Sequence, residues 1–266
     1  MKVSIVTISY NQAQYLERAM RSVLTQDYQD VEYIVVDPGS TDGSRDLISA
    51  QGSRIKAILE KDNGPADGLN KGFAAATGDI FGFLNADDIL YPGAIYAVVR
   101  FLSSHPQVDV VSGNANVIGP CDEILRRVYS DRMSARAYLY NGAILIQPST
   151  YFRRSAFERV GGFNVNNNAT WDGELFFRMA SAGCNFARLN AILSAYRLHA
   201  ESITVSMRTS QKLADVRQRL FRDTMGREAN PLDAAISKAY WLKRKIFNPR
   251  DTLERMFLGR VFGRKV

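Results

Sequence analysis

Residues 31–44 read Val-Glu-Tyr-Ile-Val-Val-Asp-Pro-Gly-Ser-Thr-Asp-Gly-Ser, an apolar run that ends in an acidic turn with two glycines. The apolar run predicts a buried strand, and the Ser, Thr and Asp residues of the turn are typical of the start of a helix. The same alternation of strand and helix continues on both sides of this segment. It therefore predicts an α/β protein with a mostly parallel sheet and helices on both faces.

The alternation can be followed through the first 118 residues and becomes mixed after Pro120. Strands are predicted at Val3–Ser9, Val31–Asp37, Ile55–Glu60, Ile80–Leu84 and Val108–Val117, and helices at 15–24, Ser40–Ala50, Gly68–Thr77 and Gly93–Ser104. Later, strands are predicted at Ala143–Phe152 and Phe186–Tyr196, with a helix at Asp172–Ala182 between them. From Ser206 the chain is predicted to be helical. We therefore expect one domain over residues 1–205 and a helical C-terminal extension over residues 206–266.

The composition is typical of a water-soluble globular protein, with 46% hydrophobic and 23% charged residues. The longest apolar stretches, such as Ala94–Leu102 with its internal Arg100, are too short to span a bilayer. The interleaved Ser and Thr residues at the N-terminus favour a first buried strand over a signal peptide. Cys121 and Cys184 give neither a disulfide framework nor metal-ligand spacing, so we expect a reducing, cytoplasmic location.

Polar and acidic residues follow four of the predicted strands. The four turns begin Ser9-Tyr10-Asn11, Asp37-Pro38-Gly39, Asp62-Asn63-Gly64 and Asn85-Ala86-Asp87-Asp88, and the third leads to Asn70-Lys71-Gly72. In open parallel sheets, ligands bind beyond the carboxyl ends of the strands, so these turns are expected to line one crevice. Carboxylates in such a crevice favour a diphosphate ligand bridged by Mg²⁺ or Mn²⁺, because these hard cations prefer oxygen ligands.

The acidic turns also allow other interpretations. Asp37 with Asp42 is also compatible with a simple turn and helix cap, and Asp87-Asp88 with a solvated loop. A dinucleotide-binding site requires G-x-G-x-x-G after the first strand, where this sequence has Ser-Tyr-Asn-Gln-Ala-Gln. A Walker-type phosphate loop is not found either. Four such turns in succession favour the metal-bridged diphosphate.

Residues 1–204 resemble the family 2 glycosyltransferases with the GT-A fold. The resemblance rests on several ordered motifs rather than on one. They are Val-Ser-Ile-Val-Thr-Ile-Ser-Tyr-Asn, Val-Val-Asp-Pro-Gly-Ser-Thr-Asp-Gly-Ser, Asn-Lys-Gly-Phe-Ala-Ala-Ala-Thr-Gly-Asp, Phe-Leu-Asn-Ala-Asp-Asp, Val-Gly-Gly-Phe-Asn, Trp-Asp-Gly-Glu-Leu-Phe-Phe-Arg-Met-Ala and Tyr-Arg-Leu-His. It implies a Rossmann-like catalytic domain, with a nucleotide-sugar-binding half over residues 1–118 and an acceptor-side half over residues 119–205.

The resemblance also implies roles for individual residues. The nucleotide-sugar is expected to contact Ser9, Tyr10, Asn11, Asp37, Asn70, Asn85 and Ala86. Asp87 is expected to ligate Mn²⁺ or Mg²⁺, with Asp88 supporting the metal site. His199 matches a family position that completes the metal or phosphate site, and it is equally compatible with an ordinary surface or core histidine. Two positions depart from the family pattern. Pro38 stands where many members have a second Asp, and Asn85 replaces the first carboxylate of the family's DxD motif.

Asp172 matches the carboxylate that serves as catalytic base in inverting members, and Glu174 is an alternative that matches less well. Asp172 is also suited to capping the helix that it begins, a role compatible with catalysis. The expected activity is transfer of a sugar from a nucleotide-diphosphate-sugar to a hydroxyl of a glycan or lipid-linked glycan, in polysaccharide or lipopolysaccharide biosynthesis. The alternative is a non-catalytic nucleotide-sugar-binding or scaffold protein, which the departures at Pro38 and Asn85 suggest.

The positive charge of the chain is concentrated at its C-terminal end. Residues 236–266 hold nine basic and two acidic residues, which accounts for the whole net charge of +7. Within residues 235–247 the apolar side chains fall mostly on one side of a helix, a pattern that favours an anionic membrane surface. The protein would then be peripheral on the inner leaflet of the cytoplasmic membrane. Alternatively, the helix packs on the catalytic domain or on a dimer partner. A nucleic-acid partner is not expected, because no recognition motif accompanies the charge.

Overall fold

The computed structural model describes residues 1–200, residue 202 and residues 210–259. Its strands are β1 (Val3–Ile8), β2 (Val31–Val36), β3 (Lys56–Ile58), β4 (Ile80–Asn85), β5 (Ile89–Leu90), β6 (Val110–Ile118), β7 (Ile124–Val128), β8 (Thr150–Arg153) and β9 (Phe186–Arg197). Its helices are α1 (Ala13–Leu24), α2 (Ser44–Ser49), α3 (Pro65–Ala74), α4 (Ala94–Ser104), α5 (Ala135–Leu139), α6 (Arg154–Arg159), α7 (Trp171–Ser181), α8 (Ser210–Met225), α9 (Pro231–Phe247) and α10 (Pro249–Leu258). Short 3₁₀ turns lie at Gly52–Arg54 and Gln147–Ser149.

The strands of the described segments form one sheet in the order β3-β2-β1-β4-β8-β6-β9-β5, and β7 pairs with β6 outside this path. The first four strands of that order pair in parallel, as the βαβ pattern predicted. β8 lies antiparallel between β4 and β6, and β6 pairs in parallel with β9. This architecture confirms the predicted α/β class with its Rossmann-like, mostly parallel sheet.

Helices cover both faces of the sheet because successive side chains of a strand point to opposite faces. Ile5 of β1 packs in the core that α1 and α4 cover, together with Leu16 and Val98. The next residue, Val6, packs in the second core, against Phe73 of α3 and helices α6 and α7. Both faces are therefore buried, which explains why these strands are continuous apolar runs in the sequence.

Three of the predicted elements that differ from the structure do so for a local reason. The second helix begins at Ser44 rather than Ser40, because Gly43 adopts φ 95°, a left-handed conformation that precedes the helix. The third helix begins three residues early, at Pro65, whose fixed φ suits the first turn. The strand predicted at Ala143–Phe152 was mostly wrong: only its last residues belong to β8, and Pro148 lies in the 3₁₀ turn before it.

The C-terminal helices pack on the preceding chain. Arg244 of α9 donates through Nε to Oδ2 of Asp131 at 2.6 Å, and Asn248 donates to the other oxygen of Asp131 at 2.8 Å. Asp233, at the start of α9, accepts from the hydroxyl of Tyr140 at 2.9 Å. The structure therefore has the packing on the catalytic domain that was one of the two interpretations of the tail. The predicted boundary at Ser206 lies outside the described residues.

The outer surface of the same helices remains apolar and exposed. Trp241, Ile246 and Phe247 of α9 are exposed, as are Met256 and Phe257 of α10. None of the helices in the described part of the chain is long and apolar enough to cross a membrane.

Candidate active site

A cavity of about 530 Å³ opens at the carboxyl ends of β1 and β4. Its walls include seven of the predicted site residues: Tyr10, Asn85, Ala86, Asp87, Asp88, Asp172 and His199. The turns after β1 and β4 therefore meet at one place, as the strand-end argument predicted, and the start of α7 and the end of β9 join them there; Asp37 and Asp62, which follow the other two predicted strands, are not among the lining residues. Four predicted residues are not among those that line the cavity: Ser9, Asn11, Asp37 and Asn70.

The turn after β4 carries two adjacent carboxylates, Asp87 and Asp88, of which Asp88 is the more deeply buried. Asp88 is 4% exposed, and its Oδ1 accepts the backbone N–H of Arg197 at 2.9 Å while Oδ2 accepts from the Asn85 amide at 3.3 Å. Burial and the neighbouring charge of Asp87 raise the pKa of Asp88 well above its ordinary value. Since both oxygens of Asp88 already accept hydrogen bonds, the structure gives it the supporting position behind Asp87.

Asp87 and His199 contact each other in the wall of the cavity. Nε2 of His199 lies 3.0 Å from Oδ2 of Asp87, and its ring packs against Tyr15 with centroids 5.0 Å apart. One carboxylate and one imidazole are a donor set that Mn²⁺ accepts readily. No group of three or more His, Cys, Asp or Glu side chains suited to a metal occurs among the described residues. The pair is therefore able to supply two protein ligands to a cation.

The buried side chain of Arg197 holds this turn in place. Its Nε donates to the backbone carbonyl of Asp87 at 2.9 Å, and its Nη1 donates to that of Gly119 at 2.9 Å. An ion pair of 2.5 Å joins it to Asp122, and the guanidinium lies 4.8 Å from the ring centroid of Tyr15. Because these contacts come from three separate segments, Arg197 fixes the position of Asp87 relative to the end of β9.

The turn after β2 is organised around a fully buried carboxylate. Asp37 accepts from the backbone N–H of Ser40 at 2.8 Å, from the Ser40 hydroxyl at 2.6 Å and from Nε of Arg45 at 3.2 Å. Burial by itself raises the pKa of Asp37, but these hydrogen bonds lower it below its ordinary value. Asn11 joins the turn, because its backbone N–H donates to Ser40 and its Oδ1 accepts from Thr41. Ser9 is buried beside them.

Asn70 has a different environment from the one predicted. Its Nδ2 donates to the carbonyl of Phe163 at 2.9 Å, and its Oδ1 accepts the N–H of Phe163 at 2.8 Å. A side chain at Gly162 would lie only 2.7 Å from that oxygen, so the close approach requires glycine there. Both ends of the amide thus connect α3 to the loop before α7, and the structure does not bring Asn70 into the cavity.

The two candidate bases at the start of α7 differ in what they contact. Asp172 is half-buried and lines the cavity. Burial raises the pKa of its carboxyl above the ordinary value, against the hydrogen bonds of the Gly173 N–H and the Thr170 hydroxyl, which lower it. Glu174 is buried and accepts from Asn167 at 2.6 Å and from Arg219 at 2.8 Å. Of these two carboxylates, Asp172 is therefore the one that is placed to accept a proton from a ligand in the cavity.

Several residues of the cavity were not predicted. Gln147 lies beside Asn85, whose amide donates to it at 3.2 Å, and Trp171 precedes Asp172. Arg197 belongs to the Tyr-Arg-Leu-His motif, and its position within an apolar strand was a signal that it is buried and paired. Gln147 gave no such signal, because it lies in the segment predicted as a strand.

The chain was compared with known proteins. The model of glycosyl transferase family 2 matches residues 4–161. An uncharacterized glycosyltransferase of Nostoc sp. (strain PCC 7120) is 33% identical over 213 residues, which are 75% of this chain and 65% of that protein. The chondroitin synthase of Pasteurella multocida (strain Pm70) is 27% identical over 214 residues, 79% of this chain and 22% of that protein. The chain thus spans less than two thirds of the length of these curated relatives.

Among solved structures, the mannosyltransferase PcManGT from Pyrobaculum calidifontis, in complex with GDP-Man and Mn²⁺, has the same fold. The TM-score is 0.65 at 22% identity, over 96% of this chain and 74% of that chain. The match confirms the GT-A architecture that the sequence motifs implied. The match of the family model to residues 4–161, more than half of the chain, shows that the chain belongs to glycosyl transferase family 2.

Proposed function

We propose that the protein transfers a sugar from a nucleotide-diphosphate-sugar to a hydroxyl acceptor, with inversion at the anomeric carbon. The observation that carries the proposal is that one cavity is lined both by the Asp87–His199 pair and by Asp172. The pair suits a metal-bound diphosphate, and Asp172 suits a proton acceptor. GDP-Man and Mn²⁺ in the structurally similar mannosyltransferase support the same class of donor and cation.

The chemical step needs a base and a leaving group. The acceptor oxygen forms a bond to the anomeric carbon as the bond from that carbon to the diphosphate oxygen breaks. The hydroxyl proton passes to Asp172, and the nucleoside diphosphate leaves with the bonding electron pair. Burial, which raises the pKa of Asp172, makes its carboxylate a stronger base than an exposed one. No other nucleophile is required for a single displacement.

Asp87 and His199 would hold the divalent cation, Mn²⁺ or Mg²⁺, with Asp88 supporting Asp87 from behind. When bound, the cation supplies positive charge beside the diphosphate. The organised turn at Asp37 and Asn11 gives the nucleoside a rigid neighbour at the end of the same sheet edge.

The base is tested by Asp172→Asn. We expect turnover to fall by about 100-fold to 10,000-fold, the usual range for loss of a general base, with little change in donor affinity. Asp46→Asn is the matched control, since Asp46 is an exposed carboxylate in the first turn of a helix outside the cavity. A near wild-type rate for Asp172→Asn would show that the base has been misassigned.

The metal is tested by Asp87→Ala with a titration of donor in Mn²⁺ or in chelator. Donor binding should lose its metal dependence in the variant, and activity that persists undiminished in chelator would remove the cation from the scheme. Release of nucleoside diphosphate on adding donor also separates the enzyme from the non-catalytic alternative. A protein that binds the donor and never releases nucleoside diphosphate, with any hydroxyl acceptor, would be a binding protein.

The acceptor is proposed to be a growing polysaccharide or lipopolysaccharide, reached at the inner leaflet of the cytoplasmic membrane. The chondroitin synthase among the relatives supports a polysaccharide, and the exposed apolar face of α9, next to Lys243 and Lys245, supports an anionic membrane surface. Flotation with phosphatidylglycerol vesicles tests this contact. An Ile246→Glu/Phe247→Glu variant should stay unbound, and equal flotation of variant and wild type would contradict membrane binding.

A further inference from the structure

Three arginines form one side of the cavity. We call Arg126 of β7, Arg244 of α9 and Arg255 of α10 the arginine cluster; all three line the cavity that also contains Asp87 and Asp172. Two of the three come from the C-terminal helices, beyond the residues that the family model matches. The cluster therefore joins one arginine of the matched segment, Arg126, to two arginines of the C-terminal extension.

The three arginines share their carboxylate partners. Asp251 pairs with all three arginines, at 3.4 Å to Arg126, 3.1 Å to Arg244 and 2.8 Å to Arg255. Asp131 pairs with Arg244 at 2.6 Å. Three guanidinium groups thus share two carboxylates as ion-pair partners, and the charge of Glu254 acts on Arg126 as a third nearby carboxylate.

Arg126 is the arginine whose bonding is least complete. It is 3% exposed, and its Nε has no hydrogen-bond partner among the residues that the structure describes. Its Nη atoms lie 3.4 Å from Asp251 and from the carbonyl of Gly259, both at the long end of hydrogen-bonding distances. A buried guanidinium costs free energy unless its donors are bonded. Burial accordingly lowers the pKa of Arg126, although Asp251 raises it.

We propose that the arginine cluster binds an oxyanion, a phosphate or carboxylate group, on the acceptor, so that the acceptor is an acidic glycan or a glycosyl phosphate. The guanidinium fork matches both groups, because each presents two oxygens in a plane to parallel N–H donors. The bound oxyanion would accept hydrogen bonds from the guanidinium groups that line the cavity. The assignment to the acceptor rests on the proposed function, since the donor diphosphate is given to the Asp87–His199 pair.

The experiment measures sugar binding by calorimetry in the presence of chelator, so that no cation can hold an anion at Asp87. The probes are glucose 1-phosphate, glucuronate and uncharged methyl glucoside. We expect both acidic sugars to bind about tenfold or more tightly than methyl glucoside, and Arg126→Gln and Arg255→Gln to remove that preference. If both acidic sugars bind the wild type more tightly than methyl glucoside does, the site recognises oxyanions in general. If only glucose 1-phosphate or only glucuronate does, the site is selective for a phosphate or for a carboxylate.

The matched control is Arg154→Gln, because Arg154 also pairs with a carboxylate four residues away on an exposed helix surface, at 2.7 Å, and is not among the residues lining the cavity. Equal affinities for acidic and neutral sugars would overturn the proposal. So would a loss in Arg255→Gln no larger than in the control, or anion binding that disappears in Asp87→Asn and survives in Arg126→Gln. Should Arg126→Gln not fold, the half-buried Arg255 decides the outcome alone.

This measurement needs no turnover. If the acidic sugars are not preferred, the proposal about the acceptor is wrong and the transferase assignment is unaffected. The transferase assignment fails separately if Asp172→Asn keeps its rate while the preference for acidic sugars stands.

Discussion

Replacing Arg197 by Met should destabilise the protein and, at the same time, loosen the turn that carries Asp87. Met is close to Arg in volume, so the substitution removes charge and hydrogen bonds without leaving a large cavity. The carbonyls of Asp87 and Gly119, each 2.9 Å from the guanidinium, lose their donors. Hydrogen bonds to a charged group contribute about 1.5–3 kcal/mol each, offset in part by the desolvation that a buried charge no longer costs. We therefore expect a loss of about 3 kcal/mol.

A loss of that size lowers Tm by roughly 6–12 °C in a chain of this length. Circular dichroism measures the melting, and a Mn²⁺ titration in the presence of donor measures the turn. Arg18→Met is the control, because Arg18 pairs with the same Asp122 at 2.8 Å but both side chains are about half exposed there. Exposed pairs contribute about 0–1 kcal/mol. The reasoning is refuted if Arg197→Met melts within about 2 °C of the control or binds Mn²⁺ and donor normally.

Three further expectations follow from individual side chains. The acid limb of the kcat/KM profile should lie above pH 3.8, because Asp172 must lose its proton and burial raises its pKa, and a limb at or below 3.8 would argue against it. Glu32→Gln should cost about 3 kcal/mol near neutral pH, because hydroxyl and backbone donors outweigh burial and lower the pKa of Glu32 from 4.5 to about 2. In urea titrations this difference should be full above pH 4.5 and vanish as the pH falls towards 2. Asn70→Ala should cost about 2 kcal/mol through its two bonds to Phe163 and leave donor affinity unchanged, whereas a loss of donor affinity alone would restore it as a binding residue.

The residues that follow β1 and β4 were predictable as parts of one site, because the ends of neighbouring parallel strands lie side by side. Buried strands are apolar along their whole length, so their ends are visible in the sequence, and carboxyl ends of neighbouring parallel strands lie at one edge. Asp87 and Tyr10 follow β4 and β1, which pair directly. Asp172 was found through its motif rather than through this argument, because α7 belongs to the second half of the chain.

Residues whose role depends on a distant partner were not predictable in this way. Asn70 follows the turn after β3 and was expected to contact the ligand. In the structure, its position on α3 places it against Phe163, 93 residues away in the sequence. Arg197 contacts Gly119, 78 residues away, and no local pattern carries that information. The strand predicted around Gln147 failed for the same reason, because its backbone is shaped by contacts with β4 rather than by its own apolar residues.

The position of β8 has a consequence for how the protein must be made. Residues 150–153 insert between β4 and β6, pairing Phe81 with Phe152 and Gly82 with Tyr151. When only the first 118 residues have emerged from the ribosome, the edge of β4 that later pairs with β8 is therefore still unpaired and apolar. Such edges invite association between nascent chains. The segment 1–118 is thus expected to be a poor fragment for expression on its own, and chaperone contact should peak just before residue 153 emerges.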